Sequence, residues 1–529
     1  MNKEKIWLPT LIGVAIAIGM WLGWTISHSK NSSFISSSHT EKLNDILQLM
    51  ENKYVEKINI DSISEDLLVD AVTKLDPHSN YISKKELETI NEGLNGSFSG
   101  IGVHFNIQRD TVMVISVIHG GPSERLGILP GDRIVSVNDS NFTGKGINNE
   151  KVISTLKGEK GTTVKVGIKR SSSNEILSFN IKREDVPIKS IDTYYMQTSN
   201  IGYIKISNFG GKTYQEFLVA LASLKQQKAT AFIIDLRGNP GGYLDAVIQM
   251  VNEFLERGDL IVYTEGRKYN REEVFADGSG SCKKDKVVIL IDEFSASAAE
   301  IFAGAIQDND RGTIIGRRSF GKGLVQQQFS LSDGSAVRLT TAKYYTPSGR
   351  CIQRPYQKGN REAYNMDIMN RYLHGEFVNK DSIKHVDTTK YYTKKRRIVY
   401  GGGGIMPDIF VAKDTIGFTP YFNKLADNGL IYSFAFKYAD EHRKILQNIK
   451  QWDNLYLHLQ CQPILNSFVK YAEQNGIKQN PGELHQSSKL IMHMIYSYIA
   501  QNVAEDNIFY RIYNNNDKCI EEAIKAIQQ

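Results

Sequence analysis

Apolar positions change their spacing along the chain, and each spacing predicts a different kind of element. From about residue 41 to 93, apolar side chains recur at the spacing of helical turns, which predicts helices. The stretch Asp76-Pro77-His78-Ser79 interrupts this pattern. Between residues 96 and 185, short apolar runs bounded by turn residues predict strands, with residues 164–170 and 176–182 expected to form a hairpin.

A different pattern begins near residue 187, where strand-like runs alternate with helix-like runs. This alternation is typical of an α/β sheet. We expect strands at 201–206, 231–236 and 287–291 and helices at 214–225, 243–255 and 298–306. From residue 417 the pattern is helical to the end. The predicted domains are a linker with a helical region at 28–95, a β-rich domain at 96–185, an α/β core at 186–416 and an α-helical region at 417–529.

The N-terminus carries a separate hydrophobic stretch. Residues 6–26 have no charge and are rich in Ile, Leu, Ala, Gly and Trp. This length can cross the ~30 Å hydrocarbon core of a membrane as a helix, so residues 1–27 are interpreted as a transmembrane signal anchor. A cleaved signal peptide is the alternative, but no clear small-residue cleavage site follows. Lysines are denser before the stretch than after it, which favours export of the body.

Charge and cysteine usage narrow the function classes. The net charge of +6 is spread over 64 basic and 58 acidic residues, so binding to nucleic acid is not indicated. The cysteines form no CxxC pair and no spacing typical of a zinc site; they are Cys282, Cys351, Cys461 and Cys519. They are interpreted as structural, and the sequence leaves their pairing open. No metal or other cofactor is expected.

The first candidate for chemistry is a glycine-rich turn after the strand predicted at 231–236. Its sequence is Leu236-Arg-Gly-Asn-Pro-Gly-Gly242. Glycine tolerates positive φ and lets backbone N–H groups approach a ligand closely. An ordinary strand-to-helix turn without a ligand is the alternative.

A second turn, after the strand predicted at 287–291, contains Ser295 and Ser297. A serine at a strand-to-helix junction can present its hydroxyl to a pocket, beside N–H groups that form an oxyanion hole. However, Ser297-Ala-Ala-Glu300 also fits a capping box before a helical run. Ser295 is an alternative N-cap, which would free Ser297 for chemistry. The sequence of this stretch alone leaves both interpretations open.

The third turn, at residues 316–323, contains Gly321-Lys322-Gly323 and is close to the phosphate-binding pattern G-x-x-x-x-G-K-[ST]. Position 323 is glycine, so the hydroxyl that would hold Mg²⁺ is missing. The residues after it read as a strand, whereas a phosphate-binding loop opens a helix. A surface lysine in a glycine turn is another interpretation.

Taken together, the three turns supply a serine, a lysine and a backbone loop. A serine hydroxyl needs a base to take its proton. A lysine can be that base when burial lowers its pKa. A histidine-based triad stays open, although no Gly-x-Ser-x-Gly motif is present and no histidine lies in these turns.

The order and spacing of the turns resemble those of the carboxyl-terminal processing peptidases, which are serine proteases with a Ser–Lys dyad. The resemblance covers about residues 40–415. It rests on Ser295-Ala-Ser-Ala-Ala-Glu-Ile301, Gln307-Asp-Asn309, Gly321-Lys-Gly-Leu-Val-Gln326 and Leu236-Arg-Gly-Asn-Pro-Gly-Gly242. It implies an α/β protease core of ClpP/crotonase-like ββα units with an inserted PDZ domain. One departure is Ala299, where many members have serine.

The resemblance also implies roles for individual residues. Ser297 would be the nucleophile, Lys322 the general base, and Gln326 the residue that hydrogen-bonds the lysine. The backbone N–H groups of Gly242 and Ala298 would form the oxyanion hole.

In the β-rich domain, residues 99–103 and 121–132 resemble the carboxylate-binding loop and the helix-turn of a PDZ domain. Such a domain pairs the end of a peptide with its own edge strand and captures the terminal carboxylate with backbone N–H groups. The resemblance assigns this role to Gly100, Ile101, Gly102 and Val103. The expected partners are protein substrates with accessible, apolar C-termini.

These observations predict a membrane-anchored serine endopeptidase that cuts exported proteins near their C-termini. Its single span would lie in the cell inner membrane, with the catalytic body on the periplasmic side. The alternatives are a membrane-tethered PDZ scaffold without catalysis and a nucleotide-binding protein that uses residues 316–323. The C-terminal region is expected to pack on the core or to form a homo-oligomer. Gly401–Gly404 is expected at a loop tip, and residues 359–400 have no assigned chemistry.

Overall fold

The computed structural model describes residues 38–529 except 109, 171–172 and 385–386, together with the single positions 13, 18 and 20. The predicted span at 6–26 lies outside the described residues apart from those three positions. In the described part of the chain, no helix is both long and apolar enough to cross a membrane. The chain divides into two compact units, one ending at Val72 and the other spanning Thr73–Gln529.

The described part of the first unit includes α1 (Ser38–Lys53) and all but the last residue of α2 (Ile60–Thr73). In α1, Glu41 lies in the first turn and Lys53 in the last. These charges are favourable at those ends because the helix dipole is positive at its N-terminus and negative at its C-terminus. No side chain of α2 is buried.

The second unit opens with strand β1 (Asn80–Ile82) and helix α3 (Lys84–Asn95). A capping box starts α3, in which Ser83 Oγ accepts from Glu86 N–H and the Glu86 carboxylate accepts from Ser83 N–H at 3.1 Å. The helix ends at Gly96, whose φ of 75° is left-handed and suits glycine. Both ends of this predicted helix are therefore set by local sequence.

The β-rich domain follows as an antiparallel sheet. Its elements are β2 (Ser97–Gly100), β3 (Val103–Gln108), β4 (Thr111–Val117), α4 (Pro122–Arg125), β5 (Arg133–Val137), β6 (Ser140–Asn141), α5 (Asn149–Leu156), β7 (Thr163–Lys169), β8 (Ile176–Lys182) and β9 (Glu184–Pro187). The strand order is β3-β4-β5-β7-β8, so β3 lies at an edge, while β6 pairs with β5 and β2 with β9. Strands β7 and β8 form the predicted hairpin. A cluster of buried Val, Ile, Leu and Phe side chains forms the core of the domain.

The α/β core contains the other strands that the structure describes. Its elements are β10 (Ile191–Met196), β11 (Ile201–Ile206), α6 (Thr213–Gln226), β12 (Ala231–Asp235), α7 (Leu244–Asn252), β13 (Leu260–Glu265), β14 (Glu272–Phe275), β15 (Lys286–Ile291), α8 (Ala298–Asp308), β16 (Thr313–Gly316), β17 (Leu324–Ser330), β18 (Ala336–Tyr345), α9 (Arg361–Leu373), a 3-10 turn (Lys380–Ser382), β19 (Lys390–Tyr392), β20 (Ile398–Tyr400) and β21 (Ile409–Phe410). The strands and helices predicted between 201 and 306 are confirmed to within a few residues.

Two sheets organise this core. The larger has the order β10-β11-β12-β15-β16-β21, and its strands from β11 onward are parallel. Every residue of β12 is buried, as is typical of a parallel strand covered on both faces. The second sheet has the order β1-β18-β13-β14, and β17 pairs antiparallel with β18 along its whole length. The candidate catalytic turns belong to both sheets.

The C-terminal region is helical, as predicted. Its helices are α10 (Pro420–Asp427), α11 (Leu430–Glu441), α12 (Arg443–Leu446), α13 (Trp452–Gln460), α14 (Ile464–Gln474), α15 (Pro481–Val503), α16 (Asp506–Tyr513) and α17 (Lys518–Gln528). Most of them bury a common apolar cluster. The last helix instead buries Ile520, Ala523 and Ile527 against the larger core sheet. The four cysteines are free thiols.

Candidate active site

Two of the predicted turns meet at the same edge of the larger sheet. Strands β12 and β15 are parallel neighbours, so the turns at their carboxyl ends lie side by side. The N–H of Ala296 donates to the Asn239 carbonyl oxygen at 2.9 Å. The buried hydroxyl of Ser295 donates to the Leu236 carbonyl oxygen at 2.8 Å. Ser295 therefore links the two turns, and the alternative that it caps the helix is wrong.

Ser297 occupies the N-cap position of α8 in an unusual backbone conformation. Its φ is 54° and its ψ is −114°. A positive φ in a residue with a side chain costs on the order of 1–3 kcal/mol and is common at functional sites. The Glu300 carboxylate accepts from the N–H of Ser297 at 2.9 Å, as in a capping box. Ser297 is thus an N-cap, as its sequence suggested, and also sits in the strained turn expected of a nucleophile.

The glycine-rich turn packs directly against this serine. A Cβ added to Gly241 would lie 2.8 Å from Ser297 Cβ and 3.0 Å from Ala298 N, so only glycine fits. Gly242 has a φ of 149°, and a Cβ there would lie 2.1 Å from the Phe209 carbonyl oxygen. Among the described residues, no acceptor takes the N–H of Gly242 or Ala298. The two predicted oxyanion donors are therefore brought close to Ser297.

Glu300 ties the serine turn to the lysine turn. Its carboxylate is buried and accepts four hydrogen bonds, from Ser297 N–H at 2.9 Å, Lys322 N–H at 2.8 Å, Gly321 N–H at 2.7 Å and Ser319 Oγ at 2.5 Å. Burial raises the pKa of Glu300 to about 6, although the four donors oppose this shift. The sequence singled out Glu300 only as a capping residue. Its sharing between Ser297 and Lys322 appears only in the tertiary structure.

A second shared partner is Tyr344 on β18, which the sequence did not indicate. Its hydroxyl lies 3.2 Å from the Ser297 carbonyl oxygen and also donates to the Lys322 carbonyl oxygen. Burial raises the pKa of Tyr344 well above its ordinary value, so the hydroxyl stays a donor. Ser297 and Lys322 are thus joined through both Glu300 and Tyr344.

The Lys322 side chain points to Gln326, as predicted. Nζ donates to Gln326 Oε1 at 3.0 Å. Burial and the positive charge of Arg338 lower the pKa of Lys322, and the negative charges of Glu300 and Asp76 oppose this shift only in part. A lowered pKa gives more of the neutral amine that a general base needs. Among the described residues, Nζ makes no hydrogen bond to Ser297.

The lysine turn does not have the features of a phosphate-binding loop. Strand β17, rather than a helix, follows Gly323. The N–H groups of Gly321 and Lys322, which would have to face a phosphate, donate instead to a buried carboxylate. An anionic ligand at this turn would meet Glu300, so the nucleotide interpretation has no support here.

His78 also lies beside the lysine, although the sequence gave no sign of this. Its carbonyl oxygen accepts from Gln326 Nε2, and its Nε2 lies 2.9 Å from the Tyr364 hydroxyl. Burial, followed by the charge of Lys322, lowers the pKa of His78 to about 3. The imidazole is in hydrogen-bond contact with Tyr364 and stays neutral. We therefore interpret His78 as a structural residue and not as a catalytic base.

Two further segments recognised in the sequence have supporting roles. Asp308, in the motif at 307–309, forms an ion pair of 2.7 Å with the fully buried Arg350 at the C-terminal end of α8.

The glycine segment Gly401–Gly404 was also singled out in the sequence. Gly401 and Gly404 are buried, and the N–H of Gly404 donates to the Ile352 carbonyl oxygen at 2.9 Å. The expectation that Gly401–Gly404 form a loop tip is therefore wrong, because the segment packs against the lysine turn.

In the β-rich domain, the predicted carboxylate-binding residues form one loop. Gly100 ends β2 and Val103 begins β3, the edge strand. The hydroxyl and N–H of Ser123 hold the Ile101 carbonyl oxygen at 2.6 and 3.1 Å. Among the described residues, the N–H groups of Ile101 and Gly102 have no acceptor. This loop can therefore receive a carboxylate beside a strand that is the edge strand of its sheet in the described part of the chain.

Three protein families match parts of the chain. Peptidase family S41 matches residues 200–358, and the PDZ domain matches residues 99–182. A family of unknown function (DUF8443) matches residues 421–505 in the helical region. The first two matches cover the turns and the loop described above.

Curated relatives extend the likeness along most of the chain. Carboxy-terminal processing protease CtpB of Bacillus subtilis (strain 168) is 30% identical over 400 residues, covering 74% of this chain and 82% of that protein. CtpA of the same strain is 32% identical over 357 residues, covering 67% and 76%. A solved photosystem II D1 C-terminal processing protease has 24% identity, covers 71% of this chain and 94% of its own, and has a TM-score of 0.36, which is too low to add to the assignment. The predicted family is thus confirmed: the chain belongs to peptidase family S41, among the carboxy-terminal processing proteases, as a serine-type endopeptidase with a PDZ domain and a helical C-terminal region.

Proposed function

We propose that the protein cleaves other proteins near their C-termini, with Ser297 as nucleophile, Lys322 as general base and the PDZ domain as the site that captures the substrate's end. The observation that carries the proposal is the double connection of Ser297 and Lys322 through Glu300 and Tyr344, with Gln326 on the lysine Nζ. The named relatives are processing proteases, which agrees with this activity.

The chemistry follows from the groups at the site. The neutral Lys322 amine takes the proton from Ser297 Oγ as the oxygen attacks the scissile carbonyl carbon. The N–H groups of Gly242 and Ala298 stabilise the oxyanion. The lysine ammonium then protonates the leaving amine, the C–N bond breaks, and an ester remains on Ser297. A water molecule then gives a proton to Lys322 as its oxygen attacks the ester carbonyl carbon. The ester C–O bond breaks, the lysine ammonium returns the proton to Ser297 Oγ, and the carboxylic acid is released.

Substitution of the two reactive groups tests this mechanism. Ser297→Ala and Lys322→Ala should each lower kcat on an unstructured protein by at least about 10⁴-fold, as removal of a nucleophile or its base does in other serine proteases. Circular dichroism and thermal unfolding should stay close to those of the parent chain. Ser332→Ala and Lys268→Ala, at exposed positions, are the matched controls. Full activity of either active-site variant would exclude the dyad.

The PDZ contribution is tested with two peptides that differ only at the end. One ends in a free carboxylate after an apolar residue, and the other ends in an amide. We expect a lower KM for the free acid because the Ile101 and Gly102 N–H groups face an anion there. Equal KM values would contradict carboxylate capture. Binding of the peptide without any turnover would favour the scaffold alternative.

We also propose that residues 6–26 anchor the protein in the inner membrane, with the body on the periplasmic side, and that its substrates are exported proteins. The length of the uncharged stretch and the preceding lysines support this placement. The parallel strands that alternate with helices in the core support a ClpP/crotonase-like fold. Protease added to intact spheroplasts should digest the body, and protection of the body would contradict the placement.

A further inference from the structure

The side chain of Gln326 needs a defined orientation to serve the lysine. An amide has one acceptor oxygen and one donor nitrogen, and rotation by half a turn exchanges them. In the observed orientation, Oε1 accepts from Lys322 Nζ at 3.0 Å and Nε2 donates to the His78 carbonyl oxygen. If the amide were reversed, its NH₂ group would face Lys322 Nζ and its oxygen would face the His78 carbonyl oxygen. Neither hydrogen bond could then form. The carbonyl of His78 therefore selects the orientation that supports Lys322.

The position of that carbonyl is fixed by the turn from Asp76 to Ser79. The Asp76 carboxylate accepts from the N–H groups of His78 and Ser79 at 2.8 and 2.9 Å and from Ser79 Oγ at 2.6 Å. It also accepts from Thr340 Oγ1 at 3.1 Å, and the N–H of Thr340 donates to Ser79 Oγ at 3.0 Å. Thr340 is the cross-strand partner of Gln326 in the β17–β18 pair. The turn is thus fastened to the strand beside the glutamine.

The His78 ring is held from the other side by helix α9. The Tyr364 hydroxyl lies 2.9 Å from His78 Nε2, and the two rings are perpendicular at 5.1 Å. The Tyr364 hydroxyl also lies 3.4 Å from the amide nitrogen of Gln353, whose oxygen accepts from Gly323 N–H at 2.8 Å. The segment at 359–400 had no assigned chemistry. Through Tyr364 it contacts the turn at 76–79 directly and the loop that contains Lys322 by way of Gln353.

We propose that Asp76, His78 and Tyr364 are positioning residues for the general base, because they hold the Gln326 amide with its oxygen toward Lys322 Nζ. This inference rests on the proposed role of Lys322. Asp76 has a second effect, since its carboxylate is one of the charges that face the lysine. The others are Glu300 from α8 and Arg338 from β18, while the neighbouring His78 is neutral. Burial would raise the pKa of Asp76, but its hydrogen bonds lower it, so the group is ionised at neutral pH.

Two substitutions at Asp76 separate its effects. Asp76→Ala removes the four hydrogen bonds that the carboxylate accepts in the turn and from Thr340, and we expect kcat to fall by about 10²-fold with KM within about twofold. Asp76→Asn keeps an acceptor for the N–H groups of His78 and Ser79, so kcat should fall less than tenfold. Asp76→Asn also removes a negative charge, which lowers the pKa of Lys322. The acid limb of the kcat/KM profile should therefore move to lower pH.

Tyr364→Phe is the mildest test, because it removes only the hydroxyl that meets His78. We expect kcat to fall by about twofold to tenfold with KM unchanged. Tyr372→Phe, exposed on the same helix, and Asp333→Asn, exposed in the β17–β18 turn, are the matched controls and should behave like the parent chain.

Steady-state kinetics of the full-length chain across pH, with thermal unfolding in parallel, decide the outcome. An acid limb that stays in place in Asp76→Asn, or a full kcat in Tyr364→Phe, would overturn the proposal. If Asp76→Ala does not fold, those two variants decide alone. An active Lys322→Ala would instead overturn the proposed function, so the two failures are distinguishable.

Discussion

The serine side and the lysine side of the candidate active site are built in different ways. On the serine side, Ser297 and the Gly241–Gly242 turn follow two adjacent parallel strands and are joined by short bonds from Ser295 and Ala296. On the lysine side, Lys322 precedes a strand of the second sheet. Its surroundings come from segments far apart in sequence: the turn at 76–79, the helix α9 and the glycines at 401–404.

This difference predicts which kind of substitution should impair catalysis on each side. The serine side depends on close backbone packing, so added atoms should disturb it most. The lysine side depends on charges and side-chain hydrogen bonds, so changes in charge and in anchoring should alter its pKa and orientation. The pH profile should therefore respond to changes on the lysine side and stay constant after changes on the serine side.

The largest effect among the following substitutions is expected for Gly242→Ala. The new Cβ would lie 2.1 Å from the Phe209 carbonyl oxygen, so the turn must move and with it the N–H group that we propose as an oxyanion donor. We expect kcat to fall by about 10²–10³-fold, with the pH of half-maximal kcat/KM unchanged. Gly146→Ala, where a Cβ meets nothing within 4 Å, is the control. A shifted pH profile in Gly242→Ala would contradict the separation of the two sides.

Glu300→Gln breaks the link between the sides, and we expect kcat to fall by about 10²-fold, because an amide cannot accept all four bonds. The effect on stability has a defined sign. Since the folded pKa of about 6 lies above the unfolded value, protonation of this carboxyl favours the folded state, and that part of the stability is lost as pH rises through 6. The parent chain should lose about 2 kcal/mol relative to Glu300→Gln as pH rises from roughly 4.5 to above 6.

Urea unfolding of the parent chain and Glu300→Gln at a series of pH values measures this difference. A constant gap between the two free energies of unfolding across this range would show that Glu300 does not titrate as described. Retained parent-like kcat would show that the link between Ser297 and Lys322 is dispensable.

Arg371→Ala tests the anchoring of the lysine side at a distance. Arg371 donates to the carbonyl oxygens of Arg318 and Ser319 at 2.8 and 3.0 Å and pairs with Glu376. Loss of the Arg371 side chain removes one of the partners of the buried Glu376 carboxylate. It also removes the hydrogen bonds that hold residues 318–319, just before Lys322. We expect kcat to fall about tenfold and stability by about 3 kcal/mol. Met369→Ala, exposed on the same helix, should change neither quantity.

The smallest effect is expected for Arg338→Gln, which should change only the pH dependence. Removal of the positive charge beside Lys322 raises the pKa of the lysine. A higher pKa keeps the amine protonated to higher pH, so the acid limb of kcat/KM should move to higher pH with the plateau unchanged. Lys268→Gln, at an exposed site, controls for loss of one positive charge. A limb that moves to lower pH would contradict the assignment of the limb to Lys322.

Much of the serine side was predictable from sequence. The strands at 201–206, 231–236 and 287–291 were identified from their apolar runs, and adjacent parallel strands place their following turns together. The capping pattern at Ser297 was also correct, but it did not exclude catalysis, because the same N-cap carries a positive φ. The alternative that Ser295 is the N-cap was wrong, since its hydroxyl donates to the Leu236 carbonyl oxygen in the turn after a different strand.

The lysine side was predicted only in part. Gln326 was matched to the lysine through the family resemblance, whereas Tyr344, His78 and Tyr364 gave no local signal. Gly401–Gly404 was misinterpreted because a glycine run is compatible both with an exposed tip and with tight packing. The choice depends on what lies opposite, here the chain at Ser319–Gly321.

The family and the approximate positions of the strands and helices were already evident in the amino-acid sequence, because they follow from local periodicity and from motifs within single turns. The sequence also proposed Ser297 and Lys322 as the reactive groups, through the resemblance to the family. The tertiary structure decided how the two groups are joined, how the Gln326 amide is oriented and which charges face the lysine. Those features depend on hydrogen bonds between residues that are remote in the chain, and only the packing of the two sheets brings them within reach.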